Sequence, residues 1–314
     1  MSRLRTFLAP AALALLYVAL RLWRLTDSCL WFDEIFGVHA ARHTWGAMLR
    51  FLSADVIHPP LFYALLKIWT AAGGESLLWL RLLPLAFAAA ALVPLVLLCR
   101  ELRLTGFETN LALLLFALNG YLVKYAHEVR MYSLLLLLAL CSMWLAVRLR
   151  NSTRDSLGQL AAIFVVNLLL VYTHYYGWLV VAAGLVFLLA FAARRKLVRF
   201  ALTVALVAVC FAPWALGVAR AGGSVAQNIG WIPRPGLGAL AQTYLTTNEL
   251  LYYQQASHEP PYLRLTTVLA PLLFGLSLLL LMRRSKRGGG EKAEGERTRA
   301  AAAYDACNAG DERA

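Results

Sequence analysis

Apolar runs of roughly 20 residues recur along this chain, and short clusters of Lys and Arg separate them. That pattern constrains the fold before any motif is read. A hydrocarbon core about 30 Å thick has no water to satisfy backbone groups, so only α-helices and closed barrels cross it. The runs here are continuous and rich in Leu and Ala, without the alternation a barrel strand needs. With 61% hydrophobic and 15% charged residues, the 314-residue chain reads as an all-α polytopic membrane protein.

The runs predict about eight transmembrane helices, over residues 6–25, 80–98, 110–123, 131–147, 157–173, 177–193, 200–219 and 263–282. Pro84, Pro94 and Pro213 fall inside them, where neighbouring helices can satisfy the freed carbonyls. Residues 26–79 form a long first external loop. Its stretch from Leu61 to Thr70 is apolar but short and interrupted by Lys67, which suits a juxtamembrane helix. Residues 220–262 form the last external loop, and 288–314 a Gly-, Ala- and charge-rich tail expected to be disordered in the cytosol. Within the first run, Arg21 and Arg24 stand one turn apart near its far end. Such arginines either snorkel to the interface or help hold a phosphate there.

The net charge of +13 does not point to nucleic acid, because the cations lie between spans. Arg3/Arg5, Arg100/Arg103, Arg148/Arg150/Arg154, Arg194/Arg195/Lys196/Arg199 and Arg283/Arg284/Lys286/Arg287 fall on one side, which the positive-inside rule makes cytoplasmic, with both termini. The opposite side collects Asp27, Asp33, Glu34, Asp55, Glu75, Glu128, Glu249 and Glu259. It also collects all six histidines, so nearly every group capable of acid–base chemistry or metal ligation faces away from the cytosol.

Two adjacent acids, Asp33 and Glu34, sit among Leu30, Trp31, Phe32, Ile35 and Phe36. Carboxylates do not rest on apolar surface, so they face water or hold a cationic, polar or reactive partner. Downstream come His58, then Lys124 to Tyr132 with His127, Glu128 and Arg130, then Thr173-His174-Tyr175-Tyr176. Tyr and Trp here also suit an interfacial belt, and a helix-end His or Arg can simply be solvated. Zincin spacing, a Gly-x-Ser-x-Gly elbow and a P-loop lysine motif are missing from the sequence.

Four segments together resemble a known family. Leu30-Trp-Phe-Asp-Glu34, His58-Pro-Pro-Leu-Phe-Tyr63, Arg81-Leu-Leu-Pro84 and Glu128-Val-Arg-Met-Tyr-Ser133 look like the GT-C membrane glycosyltransferases, within the family 39 or dolichyl-phosphate-mannose-protein mannosyltransferase-like group. The similarity runs from Leu4 to Trp178. The resemblance implies inverting transfer of a sugar from a polyprenyl-phosphate-linked donor to an acceptor on the extracytoplasmic face, in a bacterial inner (plasma) membrane. The acceptor class stays open among lipid, glycan and protein. In that family the first-loop Asp preceding a Glu is the proposed general base, which here is Asp33. His58 stands where relatives place a phosphate- or metal-contacting residue.

Arg130 offers a planar fork suited to phosphate oxygens. Glu34 would orient a hydroxyl or help hold a cation, and Tyr132, His174 and Tyr175 would line the sugar pocket. Glu34, His58, Glu128 and His174 could supply ligands to a divalent cation, although no spacing demands one. Two rival readings stand beside the enzyme. One is a transporter or flippase of lipid-linked sugars, which would keep its essential polar groups near the bilayer midplane. The other is a noncatalytic GT-C-like protein that binds lipid or a partner.

Overall fold

The computed structural model describes residues 2–153, 156–223, 236–239 and 243, with side chains from Leu8 onward. Among these residues it is helical without a β-strand. In chain order the helices are α1 (Ser2–Leu22), α2 (Phe32–Arg42), α3 (Trp45–Asp55), α4 (Leu61–Gly73), α5 (Leu77–Ala90), α6 (Leu92–Glu101), α7 (Gly106–Leu118), α8 (Gly120–His127), α9 (Tyr132–Asn151), α10 (Leu157–Thr173), α11 (Gly177–Phe191) and α12 (Arg194–Ala221).

Among the described residues, three helical stretches are long and apolar enough to cross a membrane: Leu77–Glu101, Tyr132–Asn151 and Arg194–Ala221. The expectation of about eight spans is therefore reached only in part. The other apolar helices run from 13 residues in Gly106–Leu118 to 17 in Leu157–Thr173. At 1.5 Å per residue they reach about 20–26 Å, short of a 30 Å core by themselves. Their ends have local causes. Asn119 leaves helical geometry at φ −64°, ψ 114°, and its side chain caps α8 by accepting from the Leu122 N–H. His174 is extended and closes α10. The expected eighth span at 263–282, most of the last external loop and the tail at 288–314 lie outside the described residues.

Helix α9 is the hub, packed against α5, α6, α10 and α11, while α1 lies on α7. The main core joins Phe62, Tyr63 and Leu66 of α4 to Met131, Leu134 and Leu138 at the start of α9, and to Val207, Phe211 and Trp214 of α12. The first external loop thus belongs to the core, and its expected helix at Leu61–Thr70 is present as α4.

Buried polar groups lock this bundle at defined points. Arg21 is completely buried and donates to the carbonyls of Tyr17, Phe116 and Ala117, closing the end of α7 against α1. It does not snorkel: its Nη groups are engaged by these carbonyls inside the bundle, while its Nε has no hydrogen-bond partner among the described residues. Arg24 instead pairs with Asp27. Between α9 and α10, Ser142 donates to Asn167 at 2.7 Å, a polar tie of the kind that fixes register between apolar helices.

The α4–α5 turn closes on a reciprocal tryptophan pair. Trp69 and Trp79 stack with centroids 4.3 Å apart, and each indole N–H donates to the other residue's carbonyl, at 2.7 and 2.9 Å. Gly73 lies under this pair, and Gly74 turns the chain at φ +83°. A Cβ at Gly73 would come 2.1 Å from the Trp79 ring. Gly73→Ala should therefore destabilise the fold by about 1–3 kcal/mol through overpacking. Denaturation in detergent monitored by tryptophan fluorescence reads this directly, and wild-type stability would refute the clasp.

Candidate functional site

The site begins with the separation of Asp33 from Glu34. Helix α2 opens at Trp31, and Glu34 in its first turn folds back to accept the Trp31 N–H at 3.0 Å, half of a capping box. Its other oxygen accepts the Val129 N–H at 2.7 Å, and Arg81 Nη2 stands 3.9 Å away. Glu34 is 1% exposed. Burial raises its pKa, while the two N–H groups and Arg81 act to hold it down. Arg81, equally buried, donates to the carbonyls of Leu25, Ser28 and Cys29. Glu34 is thus a cross-link between three segments, with its oxygens already engaged.

Asp33 points elsewhere. Its side chain is 36% exposed and lies at the positive end of α2, with Oδ2 3.6 Å from Arg130 Nη2. Arg130 is buried and donates to the Asp33 carbonyl at 3.0 Å and to Tyr63 Oη at 3.4 Å. Its Nη2 meets His58 Nε2 at 2.9 Å, while His58 Nδ1 lies 3.1 Å from Asp55 Oδ2. Arg130 Nε has no hydrogen-bond partner among the described residues.

Glu128 precedes this arginine by two residues. Lys124 approaches one oxygen at 3.7 Å, and the other is buried with no partner among the described residues. Burial, opposed by Lys124 and reinforced by Glu34, pushes its pKa up to about 7. At neutral pH this carboxyl can therefore carry a proton and donate to a hydroxyl as well as accept from one. His174 faces His58 with ring centroids 6.4 Å apart and Tyr132 at 6.3 Å, and its Nδ1 accepts the Tyr176 N–H. Burial, together with His58 and Arg130, lowers its pKa to about 4, so the ring is neutral.

The structure thus gathers Asp33, His58, Glu128, Arg130, Tyr132 and His174 at one end of the bundle. Tyr175 is only at the edge, with its ring against Phe211 and its Oη accepting from Trp214 Nε1 at 3.3 Å. The basic loops gather elsewhere: Asn151 donates to the Glu101 carbonyl, and Lys196 to the Arg150 and Ser152 carbonyls. The acidic and histidine-bearing helix ends of the site thus lie apart from the contacts among Glu101, Asn151 and Lys196. No set of three or more His, Cys, Asp or Glu converges to hold a metal among the described residues. Glu34 and His58 are turned to N–H and guanidinium donors, so this donor set does not fit a divalent cation.

Asp55, Tyr63 and Arg81 complete the site and carried weaker signals. Asp55 and His58 are three residues apart across a helix end, and Arg81 is a cation inside an apolar run, which by itself marks a residue with a buried partner. No protein-family model matches this chain, and no curated protein matches it.

The Glu128 shift sets a pH dependence. A carboxyl whose folded pKa is about 7, against 4.5 unfolded, costs stability progressively as pH rises through that interval. His174, lowered from 6.5 to about 4, acts in the opposite sense, losing stability as pH falls through its own interval. A difference measurement separates the two. The melting temperature of Glu128→Gln minus that of wild type should become more positive between pH 5 and pH 7.5. An unchanged difference would remove Glu128 from this role.

Proposed function

We propose that this chain is a GT-C-like integral membrane glycosyltransferase, moving a sugar from a polyprenyl-phosphate donor to an acceptor hydroxyl with inversion, and that Asp33 is the general base. The observation that carries this reading is the division of labour between the adjacent acids. Glu34 is spent on backbone N–H groups, whereas Asp33 is half-exposed beside a buried arginine. In the reaction, the acceptor oxygen attacks the anomeric carbon as its proton passes to the Asp33 carboxylate. The bond from that carbon to the phosphate oxygen breaks on the opposite sugar face, and its electron pair leaves with the phosphate.

A positioned base contributes about 10²–10⁴-fold to such a step. The leaving phosphate is already a weak base and needs positive charge more than a proton. Arg130 supplies that charge: its Nη2 stands 3.6 Å from the Asp33 carboxylate and 2.9 Å from His58 Nε2, and the phosphate is assigned to the His58 side. Glu128, Tyr132 and His174 surround the sugar with hydrogen-bonding groups. The depth also suits a lipid-linked donor. Phe32 and Ile35 flank Asp33 and are 79% and 55% exposed, an apolar surface appropriate to the membrane interface. In this reading the shorter apolar helices complete the bundle of about eight spans, the site is extracytoplasmic, and the basic loops are cytoplasmic.

Transfer of radiolabelled sugar from polyprenyl-phosphate donors in proteoliposomes tests the reaction. Asp33→Asn keeps the shape, removes the base, and should lower kcat by about 10²–10⁴-fold. A wild-type rate in that variant would exclude Asp33 as base. Orientation is tested separately by labelling single cysteines placed at Asp33 and Arg195 in a cysteine-free background. An impermeant reagent should reach them from opposite sides, and labelling from the same side would overturn the topology.

A further inference from the structure

Asp55 belongs to no motif that carries the function above, yet its carboxylate determines what His58 can do. Every polar hydrogen of a guanidinium is a donor, and Arg130 has no acceptor to offer. The 2.9 Å approach of Arg130 Nη2 to His58 Nε2 is therefore a hydrogen bond only if Nε2 presents its lone pair. The ring proton must then reside on Nδ1, where it meets Asp55 Oδ2 at 3.1 Å. The three groups form a directed chain in which His58 donates to Asp55 and accepts from Arg130. Arg130 in turn donates to the Asp33 carbonyl.

The backbone holding this chain is unusual in a way that a surface turn would not require. Helix α3 ends at Asp55, and Val56 follows at φ +67°, a left-handed conformation that is an outlier for a β-branched residue. That conformation turns the chain back so that His58 stands over Asp55. The turn is clamped from outside by Gly223, beyond the end of α12. A Cβ at Gly223 would come 2.3 Å from the Ala54 carbonyl oxygen and 2.4 Å from Val56 Cγ2. Strained backbone persists where its surroundings over-determine it, and such places concentrate at functional sites.

We infer that Asp55 is a positioning residue: its carboxylate holds His58 as the Nδ1–H tautomer, and the Nε2 lone pair so presented aims the Arg130 guanidinium at the donor-phosphate position. The inference rests on the proposed glycosyl transfer for its kinetic consequence but not for the tautomer. A carboxylate beside an imidazole orients the ring in the same manner in many sites where the other nitrogen works.

The ring state is read by 15N NMR of protein reconstituted with labelled histidine, the His58 signals being identified by their loss in His58→Gln. Wild type and Asp55→Asn, which keeps an acceptor oxygen, should both carry the proton on Nδ1. Asp55→Ala leaves only Arg130 to bias the ring, so the fraction protonated on Nε2 should rise above that of wild type. In the transfer assay Asp55→Ala should raise the donor KM by about tenfold, the equivalent of one hydrogen bond, with kcat changed less than about threefold. Asp55→Asn should restore most of the donor KM.

A wild-type ring protonated on Nε2, or an Asp55→Ala protein with unchanged tautomer or unchanged KM, would overturn the inference. If Asp55→Ala does not fold, His58 is varied instead. His58→Gln can still accept from Arg130 and donate to Asp55, so it should bind donor better than His58→Ala, and equal binding by the two would count against the chain. If no variant transfers sugar, the glycosyl-transfer reading fails and the NMR result alone decides the role of Asp55.

Discussion

The buried carboxylate of Glu34 is the interaction on which the arrangement depends. An ionised group removed from water must recover its hydration from fixed donors, or it becomes neutral or unfolds its surroundings. Glu34 recovers it from the Trp31 and Val129 N–H groups, with Arg81 close by. Those partners lie in the first loop, the α8–α9 junction and α5. One side chain therefore joins three segments far apart in the chain, and removing it would leave two N–H groups without their acceptor and Arg81 without the carboxylate beside it.

The placement of Arg130 follows from that junction. Because Val129 is bonded to Glu34, the next residue enters the space between α2 and α4, where the Asp33 carbonyl, Tyr63 and His58 engage its Nη groups. Asp33 escapes the same fate because it is one position earlier on the helix and points out of the junction. Two adjacent acids of similar chemistry thereby become a structural clamp and an exposed carboxylate next to a buried cation. The difference is helix geometry, since neighbouring residues are turned by about 100° from each other.

Much of this was legible from residue types and spacing. The acid pair among aromatics, the Glu128–Tyr132 stretch and His174 were marked by polar chemistry at the ends of apolar runs, and they come together. One helix of the first loop followed from its short apolar Leu61–Thr70 stretch, present as α4. Arg21 and Tyr175 stand differently from what their place in the sequence suggests, for one shared reason. An isolated arginine near a helix end is indistinguishable, in sequence, from one that snorkels, and only the nearby carbonyls of Phe116 and Ala117 show that its Nη groups are engaged inside the bundle. Tyr175 neighbours His174 in sequence, but α10 ends there and the tyrosine packs toward Phe211 and Trp214.

By itself, the sequence determined a helical, membrane-compatible chain whose acidic and histidine-bearing junctions are segregated from its basic ones. Hydropathy and charge act locally and additively, so they can be read along a line. Tertiary structure alone decided which acid is buried, that His58 stands between Asp55 and Arg130, and that Tyr63 and Arg81 pack around the same residues. Those outcomes depend on the direction of individual donors and lone pairs across distant segments. Directionality of that kind exists only once the helices have packed.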